Sequence, residues 1–117
     1  MDARQRGMWG EELALEHLKR KHFTMVARGF RSRFGEIDII AKNRDYIVFV
    51  EVKLRKDAHF AYAREFVSKS KQNKIKTTAR LWLSMNDTDL QPRFDVIEVY
   101  ARDKQATPEI VHIENAF

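Results

Sequence analysis

Residues 5–21 place Met8, Ala14, Leu15 and Leu18 on one stripe and turn Glu12, Glu16, Lys19 and Arg20 largely away from it, which predicts an amphipathic helix. Glu11 breaks the pattern. It lies three residues before Ala14, four before Leu15 and seven before Leu18, in the middle of the inward stripe. A short strand is expected at 24–27, followed by an Arg-rich connection. Gly35 then opens GEIDIIA (35–41), Asn43-Arg44-Asp45 supplies turn residues, and YIVFVEVKLR (46–55) follows, a pattern that predicts a β-hairpin. Both arms are almost continuously apolar, as in strands covered on both faces. Residues 65–86 predict a second helix, with Ile75, Ala79 and Trp82 on one stripe and Gln72 extending it toward the N-terminus. RFDVIEVY (93–100) reads as another strand and EIVHI (109–113) as a short edge strand. The order predicts one α/β or α+β domain over 1–117, with helices packed on a mixed central sheet.

Charge adds a direction to this outline. The chain carries 22 Lys and Arg against 17 Asp and Glu, but residues 1–86 hold 19 against 10 and residues 87–117 only 3 against 7. Lys19, Arg20, Lys21, Arg28, Arg31 and Arg33 follow one another without an intervening acid, and the segment from Lys69 to Arg80 adds five more cations. A polyanionic partner is one reading of this asymmetry and a solvated basic surface is the other. The absence of cysteine excludes disulfides, thiolate metal sites and a cysteine nucleophile, and His17, His22, His59 and His112 lack ligand spacing. A metal would therefore be held mainly by oxygen. No apolar run approaches the ~20 residues of a membrane span and the first residues lack a secretory h-region, so no membrane partner and a cytoplasmic location are expected.

The chemistry centres on the hairpin. If Arg44-Asp45 is a two-residue turn, Asn43 faces Tyr46 and position 38 stands opposite 51, with Cβ atoms ~5 Å apart. Asp38 and Glu51 would then confront each other on strands that exclude water, and Lys53 would share the side of Glu51. Two such carboxylates need a cation or a shared proton, which a divalent ion supplies. Mg²⁺ or Mn²⁺ suits oxygen ligands and keeps waters of its own. A three-residue turn would instead pair 38 with 50 and send the carboxylates to opposite faces. An E-x-K tripeptide alone is uninformative, because with 9 Glu and 10 Lys in the chain roughly one arises by chance. Its weight comes from its place in an apolar strand beside Asp38. The plainer alternatives are a partly exposed Glu11 near a helix start, an Asp38 ion pair and a merely solvated Gln72. Trp9, Trp82 and the eight Phe are assigned to the core rather than to base stacking. Asp95 is expected to pair with Arg93 or lie at the sheet edge, and His112 to be an edge-strand residue.

The blocks GMWGEELA (7–14), GEIDIIA (35–41), VFVEVKLR (48–55), KQNKI (71–75), RFDVIEV (93–99) and VHIENAF (111–117) together resemble the YraN-type family of small bacterial endonuclease-like proteins, in the PD-(D/E)XK nuclease superfamily and similar in its core to archaeal Holliday-junction resolvases. The resemblance spans nearly the whole chain. It implies a restriction-endonuclease-like core and a Mg²⁺- or Mn²⁺-dependent hydrolysis of DNA phosphodiesters. By that resemblance Asp38, Glu51 and the main-chain carbonyl of Val52 are metal ligands, Glu11 assists through metal or water, Lys53 positions the nucleophile, and Gln72 is the polar residue of the following helix. Arg28, Arg31, Arg33, Arg55, Lys69, Lys71, Lys74 and Lys76 are the expected phosphate contacts. Leu54 and Ala61 depart from the usual family run, which bears on the loop that shapes substrate access. Enzymes that resolve junctions make two cuts, so a homodimer is a reasonable expectation. Two other readings stay open: a non-catalytic nucleic-acid-binding module on the same scaffold, and an adaptor for an acidic protein partner.

Overall fold

The computed structural model describes residues 1–55 and 67–117, so Ala61 lies outside the described residues. Helix α1 (Ala3–Arg20) begins at Asp2, whose carboxylate accepts from Gln5 N–H at 2.8 Å while Gln5 Oε1 accepts from Asp2 N–H at 3.0 Å, a reciprocal cap. It ends where His22 adopts a left-handed φ of 67° and Phe23 N–H returns to Leu18 O, burying Phe23. Strand β1 (Thr24–Ser32) is longer than the 24–27 segment expected, because the Arg-rich stretch pairs with β2 (Gly35–Lys42) instead of forming a connection. Strand β3 (Tyr46–Arg55) follows, then α2 (Lys69–Met85), β4 (Gln91–Tyr100) and β5 (Glu109–Ile113). Ser68 caps α2 by accepting from Lys71 N–H, and residues 65–66 of the expected helix lie outside the described residues.

The five strands form one sheet in the order β1-β2-β3-β4-β5. Only β3 and β4 run parallel, the connection that α2 makes possible; the other neighbours are antiparallel. One core joins Ala14, Leu15 and Leu18 of α1 to Ile39, Ala41, Val48, Val50, Ile97 and Val99. A second joins Ile75, Ala79 and Trp82 of α2 to Ile37, Ile40, Ile47 and Phe49. Even-numbered residues of β3 therefore meet α1 and odd-numbered ones meet α2, which explains the continuous apolar run. At Gly10 α1 approaches the sheet closely: a Cβ there would stand 3.2 Å from Leu54 Cβ. Met8, placed on the inward stripe by its spacing, is instead exposed. No described helix is long and apolar enough to cross a membrane.

Away from the hairpin, a buried acid ties the C-terminal strand to the rest. Asp95, fully buried on β4, accepts two bonds from Arg93 at 2.9 Å each, one from His112 Nε2 at 2.7 Å and one from Asn115 N–H at 3.0 Å. His112 Nδ1 in turn lies 3.1 Å from His17 Nε2 and 3.2 Å from Lys21 Nζ, and Lys21 binds Glu114 at 2.9 Å. The expected Asp95–Arg93 pair is present, and His112 is a buried link between β4, β5 and α1 as well as an edge-strand residue. Burial opposes the charge on Asp95, but the bonds from His112, Arg93 and Asn115 outweigh it and hold its carboxyl below the ordinary value. His17 is lowered by burial, then by the nearby His112 and Lys21.

Asp95→Asn should therefore lower unfolding stability by about 3 kcal/mol at pH 7, since it leaves the Arg93 charge buried with half its partner. The wild-type contribution of Asp95 is complete above the unfolded carboxyl value of about 4 and is lost as pH falls through the lower folded value. His17 acts in the same direction, its neutral form favoured by folding and its penalty growing as pH drops below about 6.5. Thermal melts from pH 7 to 3 should show wild type losing stability faster than Asp95→Asn.

Candidate functional site

The turn between β2 and β3 sets the register. Asn43 Oδ1 accepts from Asp45 N–H at 2.9 Å and from Tyr46 N–H at 2.8 Å, while Asn43 N–H donates to Tyr46 O at 3.1 Å. Arg44-Asp45 is thus the two-residue turn, and the pairs run from Lys42↔Ile47 to Ile39↔Val50. Continued by one step, the register expected from the sequence would set Asp38 opposite Glu51, but the paired residues end at Ile39↔Val50. At that step the backbone ladder stops, and Asp38 Oδ2 accepts from Val52 N–H at 2.8 Å in its place. The interruption has a local cause. Ile37 and Ile40 both enter the α2-side core while Ile39 enters the other, so strict alternation breaks around Asp38. Its neighbour on β1, between the pairs Arg28↔Ile39 and Phe30↔Ile37, is Gly29 with φ 65°, a conformation glycine adopts without strain.

The two acids meet different fates. Glu51, 6% exposed, is bound by Lys71 Nζ at 3.0 Å and approached by Lys53 Nζ at 3.7 Å. Among the described residues no Lys or Arg pairs with Asp38. Burial, then the charge on Glu51, and to a smaller degree Glu11 and Glu36, push its carboxyl up to about 7, against the opposing pull of the Val52 N–H. Lys71 is raised from its ordinary value: its burial works against the charge, and the bond to Glu51 outweighs that. The arrangement is an acidic pair with one member bound by lysines and the other, among the described residues, without a lysine or arginine of its own.

The remaining expected residues divide. Glu11 is held by Arg28, whose Nε lies 3.1 Å from Glu11 Oε1 and whose other nitrogens bind Glu12 and Met8 O. It reaches Asp38 through its charge, and Arg28 is occupied with α1 instead of standing ready for phosphate. Gln72 donates to Val67 O at 2.9 Å, tying down the start of α2. Arg55 binds the buried Glu98 at 3.3 Å, and Lys76 lies over the rings of Phe94 and Phe117. Arg31, Arg33, Lys69, Lys71 and Lys74 are exposed on the β1–β2 hairpin and the first turns of α2. Lys71 was expected at phosphate and is found on Glu51. A signal for this existed: Lys69 and Lys71 occupy a helix first turn that contains no acid, where the macrodipole disfavours cations and an outside anion must compensate.

Among the described residues, no group of three or more His, Asp or Glu side chains is arranged to hold a metal ion. Asp38 and Glu51 together offer two carboxylates, and among the described residues Asp38 has no Lys or Arg bound to it. Such a pair fits a hard ion that keeps most of its water shell, and does not fit one enclosed by protein.

Fold and site together define an α/β domain with a mixed five-stranded sheet between two helices and an acidic pair beside lysines on its central strands. The chain belongs to the uncharacterised protein family UPF0102, whose model matches residues 10–99. It is 41% identical to a UPF0102 protein of Caldicellulosiruptor saccharolyticus and 42% identical to one of Clostridioides difficile, each over the full length of both chains. A UPF0102 protein of Photobacterium profundum is 42% identical over 90% of this chain and 86% of its own.

The raised carboxyl of Asp38 makes a stability prediction. Because the folded chain holds that proton more tightly than the unfolded chain, the ionised form costs stability; the cost is absent below pH 4 and complete above about 7. Asp38→Asn, which keeps an acceptor for Val52 N–H, should stabilise the chelator-treated protein by on the order of 1 kcal/mol at pH 8. At pH 4 it should change little. Denaturant unfolding at the two pH values measures the difference.

Proposed function

We propose that this protein is a Mg²⁺- or Mn²⁺-dependent endonuclease with a restriction-endonuclease-like core, hydrolysing phosphodiester bonds in DNA. The observation that carries this reading is the confrontation of Asp38 and Glu51 across β2 and β3 with Lys53 beside them. Asp38, Glu51 and the Val52 carbonyl would hold the ion. When bound, it supplies Lewis acidity toward a phosphate oxygen and lowers the pKa of water. Lys53 would donate to the attacking water or to the phosphoryl oxygens on which negative charge develops. Lys71, beside Glu51, would together with Arg31, Arg33, Lys69 and Lys74 give the DNA backbone a basic surface to lie on. Glu11 acts on the pair through its charge, while Gln72 fixes the start of α2. A homodimer would present two such sites for paired cuts.

One observation favours a second reading, a nucleic-acid-binding module without catalysis. Lys71 already neutralises Glu51 at 3.0 Å, as a lysine can do permanently in a scaffold that has no ion.

Incubation of the purified protein with linear, flapped and junction DNA in Mn²⁺ separates the two. Cleavage should fall at least about 100-fold in Glu51→Gln and in Lys53→Ala, with DNA retention in chelator preserved. Equal cleavage by wild type and variants would identify a contaminant and remove the enzyme reading.

A further inference from the structure

We propose that Arg33 and Phe34, at the tip of the β1–β2 hairpin, form a stacking platform for an unpaired nucleobase, so that the nucleic acid this protein takes has a strand end, flap or branch next to the acidic pair. This rests on the nucleic-acid reading above and names the substrate class of the same site.

Phe34 was assigned to the core by its spacing, yet it is 39% exposed and is the only aromatic among the large hydrophobic side chains exposed in the described residues. An isolated exposed methionine needs no explanation, but a phenyl ring held at the apex of a turn is a different case. Ser32 pairs with Gly35, so Arg33-Phe34 is the two-residue turn itself. Ser32 Oγ accepts from Phe34 N–H at 3.1 Å and lies 3.3 Å from Thr78 Oγ1, which pins the turn to α2. Gly35 presses against the same helix: a Cβ there would stand 3.4 Å from Lys74 Cβ and Thr78 Oγ1. The ring therefore stands out from a braced support, with the Arg33 guanidinium 4.9 Å from its centroid. A guanidinium–phenyl pair is a planar, cationic surface of the kind on which bases stack.

The surroundings select the partner. Arg31, Arg33, Lys71 and Lys74 surround the tip, with Glu36 as the nearby acid, bound by Arg31 at 3.5 Å. An apolar protein patch would gain little from this charge, whereas a polyanion that also offers π-faces gains from both. Beneath the tip, Gly35, Glu36, Ser68, Lys71 and Lys74 line a cavity of about 370 Å³. Lys71 belongs to that cavity and to Glu51 at once. A strand whose base rests on Phe34 can lay its next phosphate against Lys74 and Lys71, one side chain from the carboxylates. Within a continuous duplex both faces of each base are covered by neighbours, so only an unpaired base can use the ring.

The test uses the full chain in chelator, with two fluorescent probes: a closed-end DNA duplex, and the same duplex with a single-stranded flap carrying 2-aminopurine at its base. Wild type should bind the flapped probe more tightly and quench the 2-aminopurine. Phe34→Ala should weaken the flapped complex about tenfold, abolish the quenching and leave duplex binding unchanged, while Phe34→Trp restores both. Unchanged melting temperatures would show that the variants fold. Equal binding of the flapped probe by wild type and Phe34→Ala, with quenching intact, would overturn the platform and leave the nucleic-acid reading standing. Failure of wild type to retain either probe at low salt would overturn both.

Discussion

The repulsion between Asp38 and Glu51 is the constraint around which the centre of this protein is arranged. Two carboxylates on neighbouring interior strands raise each other's energy, and water is too scarce there to relieve them. The fold relieves one. Lys71 and Lys53 stand at Glu51, and a helix that begins with lysines, against its own dipole, is what brings the first of them there. Among the described residues Asp38 receives a backbone N–H, which replaces a lost ladder bond but carries no full charge.

The same sheet contains a buried aspartate in the opposite condition. Asp95 is less exposed to solvent than Asp38, yet its carboxyl is held below the ordinary value whereas that of Asp38 is pushed up to about 7. Burial penalises both; the difference lies in the partners. Asp95 has an arginine fork, an imidazole and a main-chain amide, so its charge is fully answered and its role is to fasten β5 and α1 together. Asp38 has a second acid for a neighbour. Among the described residues, that difference in partners separates Asp38 from an acid that fastens the fold.

The interruption of β2 makes this arrangement available. Where alternation breaks around Asp38, the strand stops pairing with β3 and its side chain lies within reach of charges from both layers, Glu11 on α1 and Glu51 facing α2. The flanking basic hairpin is braced to α2 through Ser32 and Thr78, so the cationic surface and the acidic pair keep a fixed relation. Stability is given up at Asp38 and regained in two well-packed cores.

Much was legible before any coordinates. The period of 3.6 located both helices, the uninterrupted apolar runs marked β2 and β3 as interior strands, and Asn43-Arg44-Asp45 fixed the two-residue turn that sets the register from Lys42↔Ile47 to Ile39↔Val50. These features depend on neighbours a few residues away, where backbone geometry leaves little choice. The length of β1, the exposure of Met8 and Phe34, the diversion of Arg28 to Glu11 and of Lys71 to Glu51, and the His17–His112–Asp95 chain were not legible in that way. Each joins residues far apart in sequence, and a lysine or a phenylalanine reads the same whether it faces a carboxylate, a core or water. Local chemistry therefore determined the elements and their register, while the packing of α1 and α2 onto the sheet decided which charges were answered and which were left waiting, because electrostatic energy depends on distance through space and not along the chain.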